Sequence, residues 1–225
     1  LGEYSALVFA SVLRIEEAVV LVRKRGRYMQ GAVPVGEGAM AAILGLSASE
    51  VAEVCREVSP ETSTREIVEP ANLNGAGQVV VAGHIAAVER ACELARARGA
   101  RKAVLLQVSA PFHCRLMEPA ARALARDLDA VSFRDLQVPL VTNVDARPIQ
   151  TGAEAKDALF RQVASPVRWE ETIEAMVSLG VRRFVEVGPG KVLSGLVRKI
   201  AKDAASVSVG TPKDVDRFLA EARVV

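Results

Sequence analysis

Leu1-Gly2-Glu3-Tyr4-Ser5-Ala6-Leu7 reads as the second half of a strand-to-helix elbow. In the pattern Gly-x-Ser-x-Gly a serine sits on a strained turn at the end of a strand, and the second glycine lets the next helix pack close behind it. Leu1-Gly2 supplies the last two positions of that pattern. The reading places a Gly-x-Ser immediately upstream of residue 1 and predicts a helix from Gly2 to about Ala10. Such an elbow ends a strand of a parallel sheet, so an α/β fold is the first expectation. A second helix is predicted over about Ile15–Gln30, with Ile15, Val19, Val22, Gly26 and Met29 along one face. Arg25 lies at the edge of that face, whereas Lys24 and Arg27 point away from it.

Beyond Gln30 the pattern changes. Gly38–Leu44 is a short apolar strand, and Ser47 caps a helix running through Cys55. Ile67–Leu73 and Gln78–Ala82 read as two strands joined by Asn74-Gly75-Ala76-Gly77, a hairpin link. A helix over about Ile85–Arg98 ends at Gly99, and Ala103–Val108 is a strand. This β-α-β-β-α-β order is the ferredoxin-like arrangement. Residues 36–106 therefore read as a small inserted subdomain.

The remaining sequence returns to α/β alternation. Helices are expected over about Met117–Ala130, Ala153–Val163, Glu170–Ser178 and Leu193–Lys202. Strands are expected at Leu140–Asn143, at Arg183–Val187 (buried) and at Val207–Val209. Thr211-Pro212 then breaks the pattern before a surface helix from Val215. The expected fold is thus α/β: a large, hydrolase-like parallel-sheet subdomain from residues 1–35 and 107–225, with the ferredoxin-like subdomain inserted. Upstream strands would complete the large sheet.

Half of the 225 residues are hydrophobic and only 4% aromatic, a composition suited to helices packed on a buried parallel sheet. No apolar run approaches the roughly 18–20 residues of a membrane span, and the N-terminus lacks the basic-then-apolar order of a signal peptide. The three cysteines, Cys55, Cys92 and Cys114, are far apart and without metal-ligand spacing, so they read as reduced cytoplasmic thiols with no metal site. A net charge of +2 gives no general reason to expect nucleic acid. Two local basic clusters, Arg23-Lys24-Arg25-Gly26-Arg27 and Arg198-Lys199 with Lys202, suit an acidic partner.

Few residues carry chemistry. The chain has two histidines. His113 follows a predicted strand through a proline-containing turn, where α/β folds place their sites, and a serine nucleophile needs such a base. His84 starts a helix and reads as a surface or capping residue. Arg25, at the edge of an apolar face, calls for a carboxylate. Gln162 alone would pass for a helix-surface residue, and turn chemistry accounts for Asn72 and Asn74. Gly188-Pro189-Gly190-Lys191 lacks the spacing of a phosphate loop and reads as a tight strand-to-helix turn, with a helix N-terminus open to an anion.

Four motifs in order carry a family resemblance: Ala71-Asn72-Leu73-Asn74 with Gly77-Gln78-Val79-Val80, Ser109-Ala110-Pro111-Phe112-His113-Cys114, Gln162-Val163-Ala164-Ser165-Pro166-Val167-Arg168-Trp169, and Glu186-Val187-Gly188-Pro189-Gly190-Lys191-Val192-Leu193. Together with Leu1-Gly2 they closely resemble the malonyl-CoA:acyl carrier protein transacylases of fatty acid synthesis, from residue 1 to about residue 210. The family's first strands and its Gly-His-Ser would precede Leu1.

The resemblance implies a malonyl-serine ester and transfer to the phosphopantetheine thiol of acyl carrier protein. It makes His113 the base and assigns the Gln162 backbone carbonyl to orient it. The Leu1 backbone N–H becomes an oxyanion donor, and Arg25 the partner of the malonyl carboxylate. Phe112 would shape the acyl pocket, with Asn72 and Asn74 beside the cleft. It implies malonyl-CoA and phosphopantetheine as substrates and no tightly bound cofactor. The partners are acyl carrier protein and an upstream segment of the same protein, with neither nucleic acid nor membrane. The alternatives are a polyketide synthase acyltransferase domain with another extender unit, and an inactive fragment or carrier-protein-binding module. A serine hydrolase fits the elbow but gives Arg25 no task.

Overall fold

The computed structural model describes residues 1–60 and 66–222. Its first helix, α1 (Gly2–Phe9), buries Tyr4 and Leu7. In the second, α2 (Ile15–Gly31), Glu17 returns to accept from the Arg14 backbone N–H at 2.9 Å, and Ala18, Leu21 and Met29 are buried. This corrects the expected apolar face. Ile15 and Val19 are 61% and 62% exposed, so the inward stripe runs through Leu21 and Met29 instead. Arg25 sits one turn from each and is centred on that stripe rather than at its edge.

The middle of the chain forms β1 (Gly38–Leu44), α3 (Ala48–Val58), β2 (Val68–Gly75), β3 (Gln78–His84), α4 (Ile85–Ala97) and β4 (Lys102–Leu105). The sheet order is β2-β3-β1-β4 and every pairing is antiparallel, which is the ferredoxin-like topology. Ser47 caps α3 in a capping box with Glu50. One sheet face buries Ala41, Ile43, Val79 and Val81 against Val51, Val54, Val88 and Ala91 of the two helices. The other face buries Met40, Val80 and Ala82 with Ala71 and Cys114. That second face meets the loop carrying His113.

A 3₁₀ turn at Arg115–Met117 leads into α5 (Glu118–Asp129), whose Leu124 and Leu128 join the cluster formed by α1 and α2. Asp127 fastens α5 to α2, accepting from Lys24 Nζ at 2.5 Å and Tyr28 Oη at 2.8 Å. The expected strand at Leu140–Asn143 is shorter and is half of a small antiparallel pair, β5 (Leu140–Val141) with β6 (Pro148–Ile149). Helix α6 (Gly152–Gln162) follows, capped by Thr151 with Glu154, and then α7 (Trp169–Ser178).

Contacts divide the chain into two compact units, Leu1–Thr172 and Ile173–Val225. The second contains β7 (Arg183–Val187) and β8 (Ala205–Val209), paired in parallel across α8 (Val192–Ile200), and ends with α9 (Pro212–Ala222). Three expectations change here. Strand β7 is not buried: Val187 is 82% exposed. The start of α8 is not open to an anion, because the Glu186 carboxylate accepts from the Leu193 and Ser194 N–H groups at 3.1 and 2.8 Å. The last helix begins at Pro212, not Val215. Thr211 and Asp214 cap it, and proline tolerates the first turn because its missing N–H is unneeded there.

Candidate active site

The loop after β4 reaches His113 through Pro111, which lies directly on β1. A Cβ at Gly38 would stand only 2.4 Å from Pro111 Cδ, so the absence of a side chain permits the approach. Two further contacts fix the loop. Cys114 Sγ donates to the Pro111 carbonyl at 3.2 Å, and Glu69 accepts from the Arg115 N–H at 2.9 Å while pairing with its guanidinium. Between them His113 adopts a left-handed backbone, φ 62°. Histidine is among the few non-glycine types found there with some frequency, and such strain gathers at functional sites.

The His113 ring meets the end of α6. The last carbonyls of a helix have no partner within it, and that of Gln162 faces His113 Nδ1 at 3.1 Å. A carbonyl accepts only, so Nδ1 carries the proton and Nε2 keeps its lone pair. Burial pulls the His113 pKa down to about 4, helped by the positive charge of Arg25 and opposed by the Gln162 carbonyl. The imidazole is therefore neutral near neutral pH, the state a general base needs.

Arg25 is half-buried, and no ion pair or hydrogen bond holds its guanidinium among the described residues. Burial lowers its pKa, while the neighbouring Tyr4 and Glu3 work in the opposite direction. Glu3 is half-buried too and accepts from the Asn143 N–H at 3.2 Å; burial raises its pKa. The Tyr4 hydroxyl is buried without a hydrogen-bond partner among the described residues, and burial pushes its pKa to about 12. The sequence did not single out Glu3 or Tyr4. An acid in the first turn of a helix reads as a partner of the helix dipole, and a tyrosine after it reads as core.

Leu1 is the N-cap of α1, its carbonyl accepting from Tyr4 N–H at 3.0 Å. Phe112 is half-buried and packs against both the helical cluster and the second sheet face. Asn72 is bridged in parallel to Val167, in the segment just after Gln162. Asn74 is half-buried near the hairpin end, and among the described residues no contact ties it to His113 or Arg25. His84 occupies the N-cap position of α4 but its side chain does not cap that helix; its Nδ1 accepts from Ile67 N–H at 3.0 Å instead. No group of three or more metal-ligating side chains occurs among the described residues.

A base held in one tautomer, beside a half-buried guanidinium with no ion pair among the described residues, suits transfer of an acyl group bearing a carboxylate. A family model described as the acyl transferase domain matches residues 1–224. The chain belongs to the acyl transferase family. It is 47% identical over 216 residues to the malonyl CoA-acyl carrier protein transacylase of Bacillus subtilis, covering 96% of this chain and 67% of that protein. It is also 47% identical over 212 residues to the protein of that name in Escherichia coli, with 94% and 67% covered. Among solved structures of the family, the transacylase of Coxiella burnetii superposes with a TM-score of 0.92 at 42% identity, covering 97% of this chain and 68% of that one. A malonyl-transacylase in complex with its type II PKS acyl-carrier protein gives 0.92 at 43% identity, with 97% and 70% covered. The α/β acyltransferase fold expected from the sequence is thereby established.

Proposed function

We propose that the chain performs malonyl transfer from malonyl-CoA to the phosphopantetheine thiol of acyl carrier protein, for fatty acid synthesis. The observation that carries this reading is the unpaired, half-buried Arg25 beside the neutral His113. In a site of low polarity a guanidinium selects a carboxylate by paired hydrogen bonds, and malonyl carries one where acetyl does not. The nucleophile is a serine immediately before Leu1. Its hydroxyl proton passes to His113 Nε2 as the oxygen attacks the thioester carbonyl. The Leu1 N–H and a second donor from the upstream segment hold the tetrahedral oxyanion. Collapse expels the coenzyme A thiolate, which takes the proton from His113 and leaves malonyl-serine with its carboxylate on Arg25. The carrier's thiol then gives its proton to His113 and attacks the ester, and the serine oxygen recovers the proton as it leaves.

Phe112 bounds the acyl pocket and favours the small malonyl group; Asn72 and Asn74 stand beside the cleft. Residues 1–35 and 107–225 act as the large subdomain and 36–106 as the small one. The chemistry needs no tightly bound cofactor, and the thiols, read as reduced, suit the cytoplasm. The likeness to a transacylase bound to a polyketide carrier favours one second reading, the same transfer to a carrier of polyketide synthesis.

The test is an intact-mass spectrum of the purified polypeptide containing this chain after incubation with malonyl-CoA. Gain of one malonyl group, lost in His113→Ala, is the expected result. Arg25→Ala should lose the malonyl adduct while accepting an acetyl group from acetyl-CoA. No adduct in the unaltered protein would overturn the reading.

A further inference from the structure

The Gln162 side chain does something its backbone carbonyl does not. It is 5% exposed, and its Nε2 donates to two backbone carbonyls of the next turn, Ser165 at 3.0 Å and Pro166 at 3.3 Å. Carbonyls only accept, so these two contacts fix which end of the carboxamide is nitrogen. Oε1 is then left buried without a partner among the described residues. The segment beyond is held as well: Val167 N–H donates to the Ala71 carbonyl and its carbonyl accepts from Leu73 N–H, both at 2.8 Å. The same glutamine therefore presents one carbonyl to His113 and ties down the loop that follows it. Helix α6 ends at Gln162. Without the side-chain contacts its terminal carbonyl would be free to tilt toward solvent.

We propose that the Gln162 carboxamide is a positioning residue for the transfer reaction. By clamping the 163–166 turn it holds the Gln162 carbonyl on His113 Nδ1, and so keeps Nε2 deprotonated and aimed at the nucleophile. This rests on the proposed function for its kinetic consequence but not for its structural one. The side chain touches no reacting atom and acts only through His113.

The two histidines supply the test and its control, because the structure gives them opposite tautomers. His113 donates from Nδ1 to Gln162, whereas His84 Nδ1 accepts from Ile67 N–H. Imidazole nitrogen NMR reads both at once. In Gln162→Met, which keeps the length but has no donor, His113 should shift to a mixed tautomer while His84 stays unchanged. The malonyl-transfer kcat should fall about tenfold, part of what a positioned base contributes. KM for malonyl-CoA should hold, since Arg25 is untouched. A His113 that keeps its Nδ1–H signal in the variant overturns the proposal whatever the activity. A second measurement needs no substitution: both carboxamide protons of Gln162 in the unaltered protein should exchange with solvent far more slowly than those of the exposed Gln137. Equal rates would also overturn it. Absence of transfer in the unaltered protein would count against the proposed function alone and leave both NMR results standing.

Discussion

His113 combines three departures from an ordinary surface histidine: a left-handed backbone, a fixed tautomer and a pKa near 4. The pKa has two measurable consequences. Above pH 4 the folded protein keeps the imidazole neutral, so the acid limb of kcat/KM for malonyl transfer should fall near pH 4 rather than 6.5. Stability follows from the same shift. Between about 6.5 and 4 the unfolded chain takes up a proton that the folded one refuses, so folding weakens as pH falls through that window and the His113 contribution levels off below it. Urea midpoints across that range should decline more steeply for the unaltered protein than for His113→Ala. Equal slopes would show that His113 titrates normally. At this scale the sequence was informative about His113, which is one of two histidines and lies in a distinctive Pro-Phe-His-Cys setting. It was less so for Arg25. Periodicity alone assigned the inward face to Ile15 and Val19, which the structure leaves exposed.

Elements bring these residues together through close backbone approach. Gly38, the first residue of β1, admits the Pro111 ring two residues before His113. Gly38→Ala places a methyl group within 2.5 Å of two ring carbons, a contact that cannot persist without moving the loop. The expected result is a transfer rate down about tenfold with the melting temperature lowered by a few degrees, the scale of an overpacking strain of about 1–3 kcal/mol. Kinetics and calorimetry on the one variant check both. Strand β1 was legible to the residue, since seven apolar or small residues end at a glycine turn and start before a capping serine. The partner of β5 was not, because Pro148–Ile149 is too short to show alternation. The start of α8 was misread for another reason. Its anion-like partner, Glu186, comes from the preceding strand, so a gap in the local sequence was filled from seven residues away.

Across the molecule, the order of elements in residues 38–105 was enough to give the sheet topology, because a β-α-β-β-α-β run with short links has few ways to close. The joining of that sheet to the segment after Gln162 could not be read in the same way. It depends on Val167 pairing beside Asn72, and neither residue carries a local signal for a partner so distant in the chain. The unpaired state of Arg25 and the orphaned hydroxyl of Tyr4 are likewise properties of packing rather than of sequence. Burial of the three cysteines accords with their reading as plain thiols: Cys55 and Cys114 are pushed to about 12, far from the range of a reactive thiolate.

The Val167 bridge also sets an order of events during refolding. Pairing within the small sheet spans at most the 64 positions between Ala41 and Leu105, whereas joining Ala71 and Leu73 to Val167 spans 96 and 94, and that larger loop entropy comes due before the contact stabilises anything. The single tryptophan, Trp169, lies two residues past the bridge and is half-buried in the finished chain. Its emission should therefore recover in a slower phase than the far-ultraviolet dichroism of the helices and sheet in a stopped-flow experiment, with malonyl transfer returning alongside the tryptophan signal. Simultaneous recovery would mean the bridge forms with the sheet. A chain caught between the two phases would have its small sheet complete and the segment after Gln162 still unanchored, folded in most respects while the carbonyl that faces His113 Nδ1 is not yet held in place.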